Sequence, residues 1–270
     1  MLAVRAVVAA ACLSLGLAGC GGSSSPDAGA QQPDLGAATP AAGAASQTAP
    51  TPPTTPAKAG GAGASLPAPK RLTAAQARKL AAAGVLRKAD MVGYTAAKTP
   101  PDSAQDKALE RKGSACLGVK DSAYLARNWG FAYSKAPWEV DSSADVAASA
   151  AAARAEMAAW HTTKATSCIK TLIRAELDKQ LTGSGAAISA FLVEPVTATV
   201  AGADSLFAFR MAITLSGPGG SITMTGYDLG VLVGQTEISL FSFETGSAGH
   251  TLAELAALAE KVTARVKALT

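Results

Sequence analysis

The stretch from Asp204 to Glu244 reads DSLFAFRMAITLSGPGGSITMTGYDLGVLVGQTEISLFSFE, and it decides the predicted fold. In its first part apolar side chains occupy every second position, namely Phe207, Phe209, Met211, Ile213 and Leu215. The positions between them carry polar groups, at Arg210, Thr214 and Ser216. A period of two is typical of a β-strand with one buried face and one solvated face.

Two glycine turns, at residues 217–220 and 234–235, divide the rest of this stretch into predicted strands 222–233 and 236–244. A strand predicted upstream, at 188–200, contains a proline and should therefore lie at an edge or form a bulge. Consecutive strands joined by tight turns predict an antiparallel meander. We expect the apolar face of the first strand to continue across the neighbouring hairpin through Val231, Val233, Phe241 and Phe243.

Helical patterns flank this predicted sheet. Thr73 with Gln76 and Thr251 with Glu254 have the spacing of capping boxes, and each pair precedes an apolar stripe of helical period. Further helices are predicted at 103–116, 145–162 and 164–181, and further strands at 91–96, 128–134 and 138–146. Leading helices, a strand meander and a closing helix favour the α+β class, with an antiparallel meander sheet and helices packed on one face.

The first 19 residues have the three parts of an export signal. Arg5 supplies the positive charge, and the apolar run at 6–17 is shorter than the roughly 20 residues that span a bilayer. The tetrapeptide at 17–20, Leu-Ala-Gly-Cys, resembles the bacterial lipobox, in which the cysteine receives a diacylglycerol and becomes the first residue. A secretory signal with a chance cysteine is the alternative. The pattern predicts lipidation of Cys20 and anchoring at the extracytoplasmic face of the cell membrane.

A long polar segment follows the predicted anchor. Of the 50 residues in 21–70, 44 are Ala, Gly, Pro, Ser, Thr or Gln, and the first aromatic residue of the chain is Tyr94. Such a composition cannot bury enough apolar surface to offset the entropy of ordering, so a disordered linker is predicted. The chain therefore divides into a signal peptide at 1–19, a lipidated cysteine with linker at 20–70, and a folded domain at 71–270.

Charge and cysteine content narrow the class of protein. The formal net charge is +4, and removal of the signal takes away Arg5, which leaves +3 and no basic cluster typical of nucleic-acid binding. Of four cysteines, Cys12 leaves with the signal and Cys20 is the predicted lipid site. Cys116 and Cys168 remain as an even pair in an exported chain, which predicts a disulfide; two buried free thiols are the alternative.

Motifs for catalysis, metal binding or cofactors do not stand out. His161 and His250 are the only histidines, and neither has a cysteine or acid at zinc-ligand spacing. The sequence has no Gly-x-Ser-x-Gly elbow, and the glycines at 217–220 lack the lysine of a phosphate-binding loop. We therefore predict no catalytic residue, no metal site and no cofactor.

Aromatic side chains supply the candidate binding residues. Trp129, Tyr133, Trp138 and Trp160 belong to the region of the chain richest in aromatic residues, and pocket walls are often aromatic. Core packing explains the same side chains without a ligand. Arg210, on the polar side of its strand, could meet an acidic ligand group or remain a solvated surface charge. The pattern predicts these five residues as candidate ligand contacts.

The order of these features resembles a known group, the actinobacterial lipoproteins and the extracellular sensor domain of mycobacterial PknH-type Ser/Thr kinases. The resemblance rests on Cys116, AWHTTKATSC at 159–168, GADS at 202–205 leading into Phe209-Arg210, and the hairpin at 228–243. It implies an α+β sensor-like domain with an internal disulfide and a ligand cleft, and no established catalytic residue. Because no kinase domain or spanning segment is seen, it implies a stand-alone lipoprotein.

From the sequence, we expect a non-enzymatic lipoprotein that binds or senses an envelope lipid, a cell-wall component or a protein partner. A cell-envelope hydrolase and a lipid carrier are the alternatives. A carrier requires a large apolar cavity, whereas an enzyme requires titratable groups that converge within hydrogen-bond reach.

Overall fold

The computed structural model describes residues 71–100, 102–119, 124–246 and 251–270. The predicted signal peptide, the lipidation of Cys20 and the linker up to residue 70 lie outside these ranges, as does His250. No helix within the described ranges combines the length and the hydropathy that a membrane span requires.

The described ranges contain five helices and eight strands. The helices are α1 (Ala74–Ala83), α2 (Ala104–Leu117), α3 (Ala150–Trp160), α4 (Thr163–Leu181) and α5 (Leu252–Lys267). The strands are β1 (Thr95–Lys98), β2 (Tyr124–Trp129), β3 (Phe131–Lys135), β4 (Trp138–Ala147), β5 (Ala187–Pro195), β6 (Ser205–Gly217), β7 (Gly220–Val233) and β8 (Thr236–Thr245). Both predicted capping boxes, at Thr73 and at Thr251, are confirmed.

The strands form one open antiparallel sheet in the order β1-β3-β4-β8-β7-β6-β5, and β2 pairs with the distal half of β4. Strands β5 to β8 follow one another as a meander, as the sequence predicted. The N-terminal strands join this meander through the pairing of β4 with β8. The α+β class and the antiparallel sheet are therefore confirmed.

The helices pack on both faces of the sheet, whereas the sequence predicted them on one. Helices α1 and α5 cover what we call the first face, where Val231 and Ile238 lie directly opposite each other. Helices α3 and α4 cover the second face, and α2 packs beside α4. On this face Phe241 lies opposite Asp228, which in turn lies opposite Phe209.

Strand register explains why the helices divide. Val231 and Phe209 are an odd number of positions apart across the β6–β7 pairing, so they point to opposite faces. The expected continuation of one apolar face through Val231 and Val233 was therefore wrong, while Phe241 and Phe243 do continue it. Strand β8 carries buried apolar side chains on both sides, Ile238 and Leu240 on the first face and Phe241 and Phe243 on the second, so a helical layer is needed on each side.

Three of the predicted element boundaries lie at other residues in the structure. The helix predicted from residue 145 begins at Ala150, because β4 continues to Ala147 in its pairing with β2 and β8. The strand predicted at 128–134 is split at Gly130, where an added Cβ would lie 2.5 Å from the Ser142 hydroxyl. The strand predicted at 188–200 ends at Pro195.

Within the described residues, the buried side chains form three apolar clusters. The largest cluster fills the space between the first face and α1 and α5. A second cluster lies under α4, and a small third one joins α3 to the sheet through Met157 and Leu232.

Candidate functional site

A cleft lies on the second face, between the sheet and helices α2 and α3. Its cavity volume is about 90 Å³. Strands β2, β4, β7 and β8 supply polar side chains to its lining, and α2 and α3 supply two of its walls. Its acidic lining residues are Asp102, Asp106, Glu110, Asp145, Glu156, Asp228 and Glu237, and its basic lining residue is Arg127.

An irregularity in β2 places two key side chains in this cleft. Tyr124 and Arg127 are three positions apart, so a regular strand would point them to opposite faces. The register with β4 shifts between Tyr124 and Ala126, because Tyr124 lies opposite Ala147 while Ala126 lies opposite Val146. This β-bulge brings both side chains to the second face, a local change of direction that bulges commonly produce.

Arg127 connects the sheet to α2. Its Nε donates to Asp145 Oδ1 at 2.7 Å, and its Nη1 donates to Glu110 Oε2 at 3.0 Å on the helix. Its Nη2 donates to the remaining oxygen of each carboxylate. Asp102, just before α2, lies 3.5 Å from Nη1. The guanidinium fork thus holds two carboxylates from different elements, a geometry that suits arginine.

Burial and charge act on these groups in opposite directions. Burial by itself would raise the pKa of Glu110, but the hydrogen bond and charge of Arg127 hold that pKa below its ordinary value. For Asp145 burial dominates and raises the pKa to about 6, despite the same arginine. The hydrogen bonds and charges of Glu110 and Asp145 raise the pKa of Arg127 although burial opposes this, so the guanidinium stays charged.

Carboxyl groups and a tyrosine form the other part of the cleft. The Tyr124 hydroxyl donates to Glu156 Oε1 at 2.8 Å, and burial together with that carboxylate raises the pKa of Tyr124. Burial, followed by the charges of Glu156 and Asp145, raises the pKa of Glu237 to about 9. Glu237 Oε1 is shielded from solvent and has no hydrogen-bond partner within the described part of the chain. Burial and the neighbouring carboxylates therefore favour the protonated form of Glu237.

Asp228 forms a further buried acid on the floor of the cleft. Its side chain is only 6% exposed, and burial raises its pKa to about 6 although Ser239 hydrogen-bonds to it. Within the described ranges, no group of three or more His, Cys, Asp or Glu side chains has an arrangement that could hold a metal ion. The acids of the cleft are therefore arranged around Arg127 and the cavity.

Aromatic rings complete the walls. The Arg127 guanidinium carbon lies 4.6 Å from the ring centre of Tyr124 and 5.7 Å from that of Trp129. At the α3 side, Trp160 stacks on Phe207 with ring centres 4.9 Å apart. The guanidinium of Arg127 thus lies over the ring faces of Tyr124 and Trp129, a cation–π arrangement within the chain itself.

Two of the five candidate ligand contacts meet in this cleft, namely Trp129 and Trp160. Tyr133 and Trp138 belong to the core of the first face, where they are 1% and 4% exposed. Arg210 donates to Glu194 Oε1 at 3.0 Å in a half-exposed ion pair. The positions of these last three residues agree with the structural alternatives of core packing and surface charge.

Sequence reasoning did not single out the polar residues of the cleft. Arg127 and Asp145 are 18 positions apart, and the bulge in β2 has no sequence signature of its own. One signal was present: Asp228 and Glu237 lie in strands that also carry many buried apolar side chains. Acids at the inward positions of paired strands indicate a polar site within the core.

The predicted disulfide is confirmed and fixes one wall of the cleft. Cys116 in the last turn of α2 is bonded to Cys168 in α4, with an S–S distance of 2.02 Å. Near the other end of α2, the amide of Gln105 donates to the buried carboxylate of Glu176 in α4. The two helices are therefore joined at both ends.

Comparison with known proteins gives a distant structural resemblance. No family model matches the chain, and no curated protein matches it. Among solved structures, the extracellular domain of PknH from Mycobacterium tuberculosis is 12% identical, with a TM-score of 0.40. That match covers 74% of this chain and 98% of the other chain. A likeness this weak assigns no function.

Proposed function

We propose that the chain is a membrane-anchored extracytoplasmic lipoprotein whose domain binds a small cationic ligand in the cleft, without catalysing a reaction. The ligand class is an ammonium or guanidinium group. The observation that carries the proposal is Glu237, whose Oε1 is sealed from solvent, lines the cavity and has no hydrogen-bond partner within the described ranges.

Glu237 makes an empty cleft energetically unfavourable. A buried polar atom without a partner costs about 1–3 kcal/mol, and a ligand that donates a hydrogen bond recovers that cost. A cation supplies more, because unit charges 4 Å apart attract by about 4 kcal/mol at an effective dielectric constant of about 20. Binding of a cation should therefore ionise Glu237 and release its proton.

The size of the cleft supports a small ligand group. The cavity of about 90 Å³ corresponds to roughly three water molecules at about 30 Å³ each. Sites for drug-sized molecules have roughly 300–1,000 Å³. The cleft therefore suits one charged group and its hydrogen-bond partners better than a sugar ring or an acyl chain, which argues against a lipid carrier at this cleft.

The location in the cell rests on the N-terminal sequence. The export signal at 1–19 and the lipobox cysteine at position 20 support anchoring by a diacylglycerol on the extracytoplasmic membrane face. The disulfide between α2 and α4 agrees with an oxidising compartment. A ligand that reaches this cleft would come from the cell envelope.

Calorimetric titration tests the ligand class, with guanidinium as the probe and urea as its uncharged isostere. The protein is the chain from residue 21 onward, without the predicted signal peptide and lipidated cysteine. We expect guanidinium to bind and urea not to bind. Because binding releases the proton of Glu237, affinity should rise with pH up to about 9, the pKa of that group.

A substitution pair separates binding at this site from non-specific attraction of the cation to surface carboxylates. Glu237→Gln retains the shape but cannot ionise, and should weaken guanidinium binding at least tenfold at pH 8. Asp178→Asn, on the exposed side of α4, should leave the affinity unchanged. Equal binding of urea, or an affinity independent of pH, would contradict the proposed cation site.

One observation favours a second candidate, an envelope hydrolase. Glu237, with a pKa of about 9, is a proton donor at neutral pH in the same cleft as Asp145, with a pKa of about 6. Carboxyl groups with separated pKa values form acid–base pairs in hydrolases. Turnover of chromogenic glycosides or esters that disappears in Glu237→Gln and persists in Asp178→Asn would support this candidate over simple binding.

A further inference from the structure

A second depression, which we call the α3–α4 groove, lies where the chain passes from α3 to α4. Its volume is about 500 Å³, within the range of roughly 300–1,000 Å³ that is typical of small-molecule sites. One wall is formed by residues 160–163 and 166–167, at the end of α3 and the start of α4. The other wall is formed by residues 195–198 and 206–209, at the end of β5 and in β6.

Packing between neighbouring elements fixes both walls. Two residues separate the end of α3 from the start of α4. The segment after β5 is held against β6, because the N–H of Val196 donates to the carbonyl of Ala208 at 3.0 Å. The ring of Phe207 lies directly against Gly230 of β7, where an added Cβ would overlap the ring. The groove therefore has defined walls without a ligand.

The lining of the groove differs in charge from that of the cleft. Among the lining residues that the structure describes, none is Asp, Glu, Lys or Arg. The titratable side chain is His161, whose Nε2 lies 3.3 Å from the hydroxyl oxygen of Ser205. An ionic ligand would lose hydration here without gaining an opposite charge. The groove therefore favours an uncharged ligand.

Hydroxyl groups supply the polar part of the groove. Four of them make no hydrogen bond within the part of the chain that the structure describes, namely those of Thr163, Thr166, Ser167 and Thr197. A helical Ser or Thr can return its hydroxyl to a backbone carbonyl of the preceding turn, as Thr182 does with Asp178. The three hydroxyls at the start of α4 do not, so each can both donate to a ligand and accept from it.

Aromatic rings supply the apolar part. Trp160 stacks on Phe207 with ring centres 4.9 Å apart, and both side chains are half-buried. The ring centre of Phe209 lies 6.5 Å from that of Trp160, with 60° between the two planes. The accessible part of these rings therefore forms an apolar surface in the same groove as the hydroxyls.

We propose that the α3–α4 groove binds an uncharged sugar. A pyranose ring has an apolar C–H face and a rim of hydroxyls that donate and accept, which matches aromatic rings beside Ser and Thr side chains. An acyl chain would cover the four hydroxyls without giving them hydrogen-bond partners, and this would cost free energy. The chemistry of this site is independent of the proposed cation cleft, although Trp160 and Phe207 line both.

Saturation-transfer NMR tests the proposal with uncharged sugars as probes. The probes are the methyl glycosides of glucose, mannose, galactose and N-acetylglucosamine, together with maltose and cellobiose. The full chain is kept in a detergent without a sugar headgroup, because a glycoside detergent would compete. We expect transfer to the C–H protons of at least one probe, with no displacement by inorganic phosphate. Absence of transfer to every probe, or displacement by phosphate, would overturn the proposal.

Substitutions at the groove test where the sugar binds. Thr166→Val/Ser167→Ala/Thr197→Val retains the shape of the groove and removes three hydroxyls. It should lower the affinity at least about tenfold, since each lost hydrogen bond changes affinity by a factor of roughly two to ten. Trp160→Ala should abolish transfer to the ring C–H protons, and Trp160→Phe should restore part of it. Circular dichroism checks folding, and the hydroxyl variant decides the test if Trp160→Ala unfolds.

The matched control removes the same groups outside the groove. Thr95→Val/Ser221→Ala/Thr223→Val changes exposed hydroxyls of β1 and β7 and should bind the sugar like the wild type. Wild-type affinity in the control together with the tenfold loss in the test variant would support the groove as the sugar site. Equal affinities of the two triple variants would overturn it.

Discussion

At the scale of single residues, Glu237 is the most informative side chain of the cleft. It lies on β8 directly opposite Asp145 of β4, and both point to the second face. Two neighbouring carboxylates in a buried site cannot both ionise readily. The cleft therefore keeps one carboxyl neutral, and this cost is consistent with a binding role for the group.

The first prediction concerns the pH dependence of stability. The pKa of Glu237 is raised from 4.5 to about 9, so the stability it supplies is complete below pH 4.5 and is lost as pH rises towards 9. The carboxyl groups of Asp145 and Asp228 have pKa values of about 6. The stability that depends on their protonation is therefore lost at lower pH than the stability that depends on Glu237. Between pH 6 and 9 the wild type should lose up to about 1.4 kcal/mol per pH unit in urea melts.

The variant Glu237→Gln should remove most of that slope and be more stable than the wild type at pH 8. Glu194→Gln changes a half-exposed carboxylate in an ion pair with Arg210 and should retain the wild-type slope. If both variants keep the slope, the titration belongs to other groups and the assigned state of Glu237 is wrong.

Within this site, the positions of single side chains were harder to predict than the types of the secondary-structure elements. The disulfide followed from the even pair Cys116 and Cys168, because few partners were available. Arg127 could not be placed, since the bulge after Tyr124 reverses the face to which it points. One inserted residue changes the face of every later side chain in a strand, and the sequence offers no local mark for it.

At the scale of elements, the attachment of α2 to the sheet depends on Arg127. Its side chain is 23% exposed and forms ion pairs with Glu110 on the helix and with Asp145 on β4. Arg127→Met would leave Asp145 buried without its cation, and removal of one partner from a buried pair costs about 3–5 kcal/mol. We expect a loss near the lower end of this range in urea melts, with faster amide exchange in α2.

Arg210 is the matched control for this change. Its ion pair with Glu194 is 38% and 41% exposed, and pairs of this kind contribute about 0–1 kcal/mol. Arg210→Met should therefore change stability by less than about 1 kcal/mol and leave amide exchange in α2 unchanged. Equal effects of the two substitutions would show that Arg127 does not hold the helix.

The disulfide makes a second, independent attachment of α2. Cys116 and Cys168 are 52 positions apart, and closing a loop of this length stabilises the fold by about 4 kcal/mol in the chain-entropy model. Cys116→Ala/Cys168→Ala should lower the free energy of unfolding by a similar amount in urea melts. The wild-type domain should take up two alkyl groups only after reduction, and alkylation without reductant would refute the pairing in solution.

Strand β6 allows a direct test of the predicted sheet faces. Phe209 is 3% exposed beneath α4, whereas Thr214 lies on the other face and its hydroxyl contacts that of Thr223. Phe209→Ala should cost about 3–5 kcal/mol, and Thr214→Ala less than about 0.5 kcal/mol. Similar losses for the two variants in urea melts would mean that both sides of β6 are buried there.

Element types were more predictable than element boundaries. Capping boxes at Thr73 and Thr251 located two helix starts because they are local in sequence. The start of α3 was misplaced, since residues 145–147 pair with neighbouring strands and this long-range pairing overrides the helix propensity of the alanines around them. Boundaries that depend on partners distant in sequence cannot be obtained from periodicity.

At the scale of the whole molecule, the two faces of the sheet have different roles. The first face carries the largest apolar cluster, with α1 and α5, and stabilises the domain. The second face carries the cleft under α2 and α3 beside the apolar cluster under α4. The disulfide joins α2, which lines the cleft, to α4, which covers that apolar cluster. One helical layer therefore completes the core, while the other also forms the wall of the cleft.

The last prediction concerns how the molecule is held in the cell. Leu17-Ala18-Gly19-Cys20 has the lipobox pattern, and the attached diacylglycerol would hold the domain stably because each buried CH₂ contributes about 0.8 kcal/mol. Cells fed a clickable fatty acid should label the wild-type protein in membrane extracts. Cys20→Ala should abolish the label and block removal of the signal. Cys12→Ala, a change within the apolar run of the same signal, should label normally. A wild-type protein that carries no label and migrates as a simple secreted product would refute the lipid anchor.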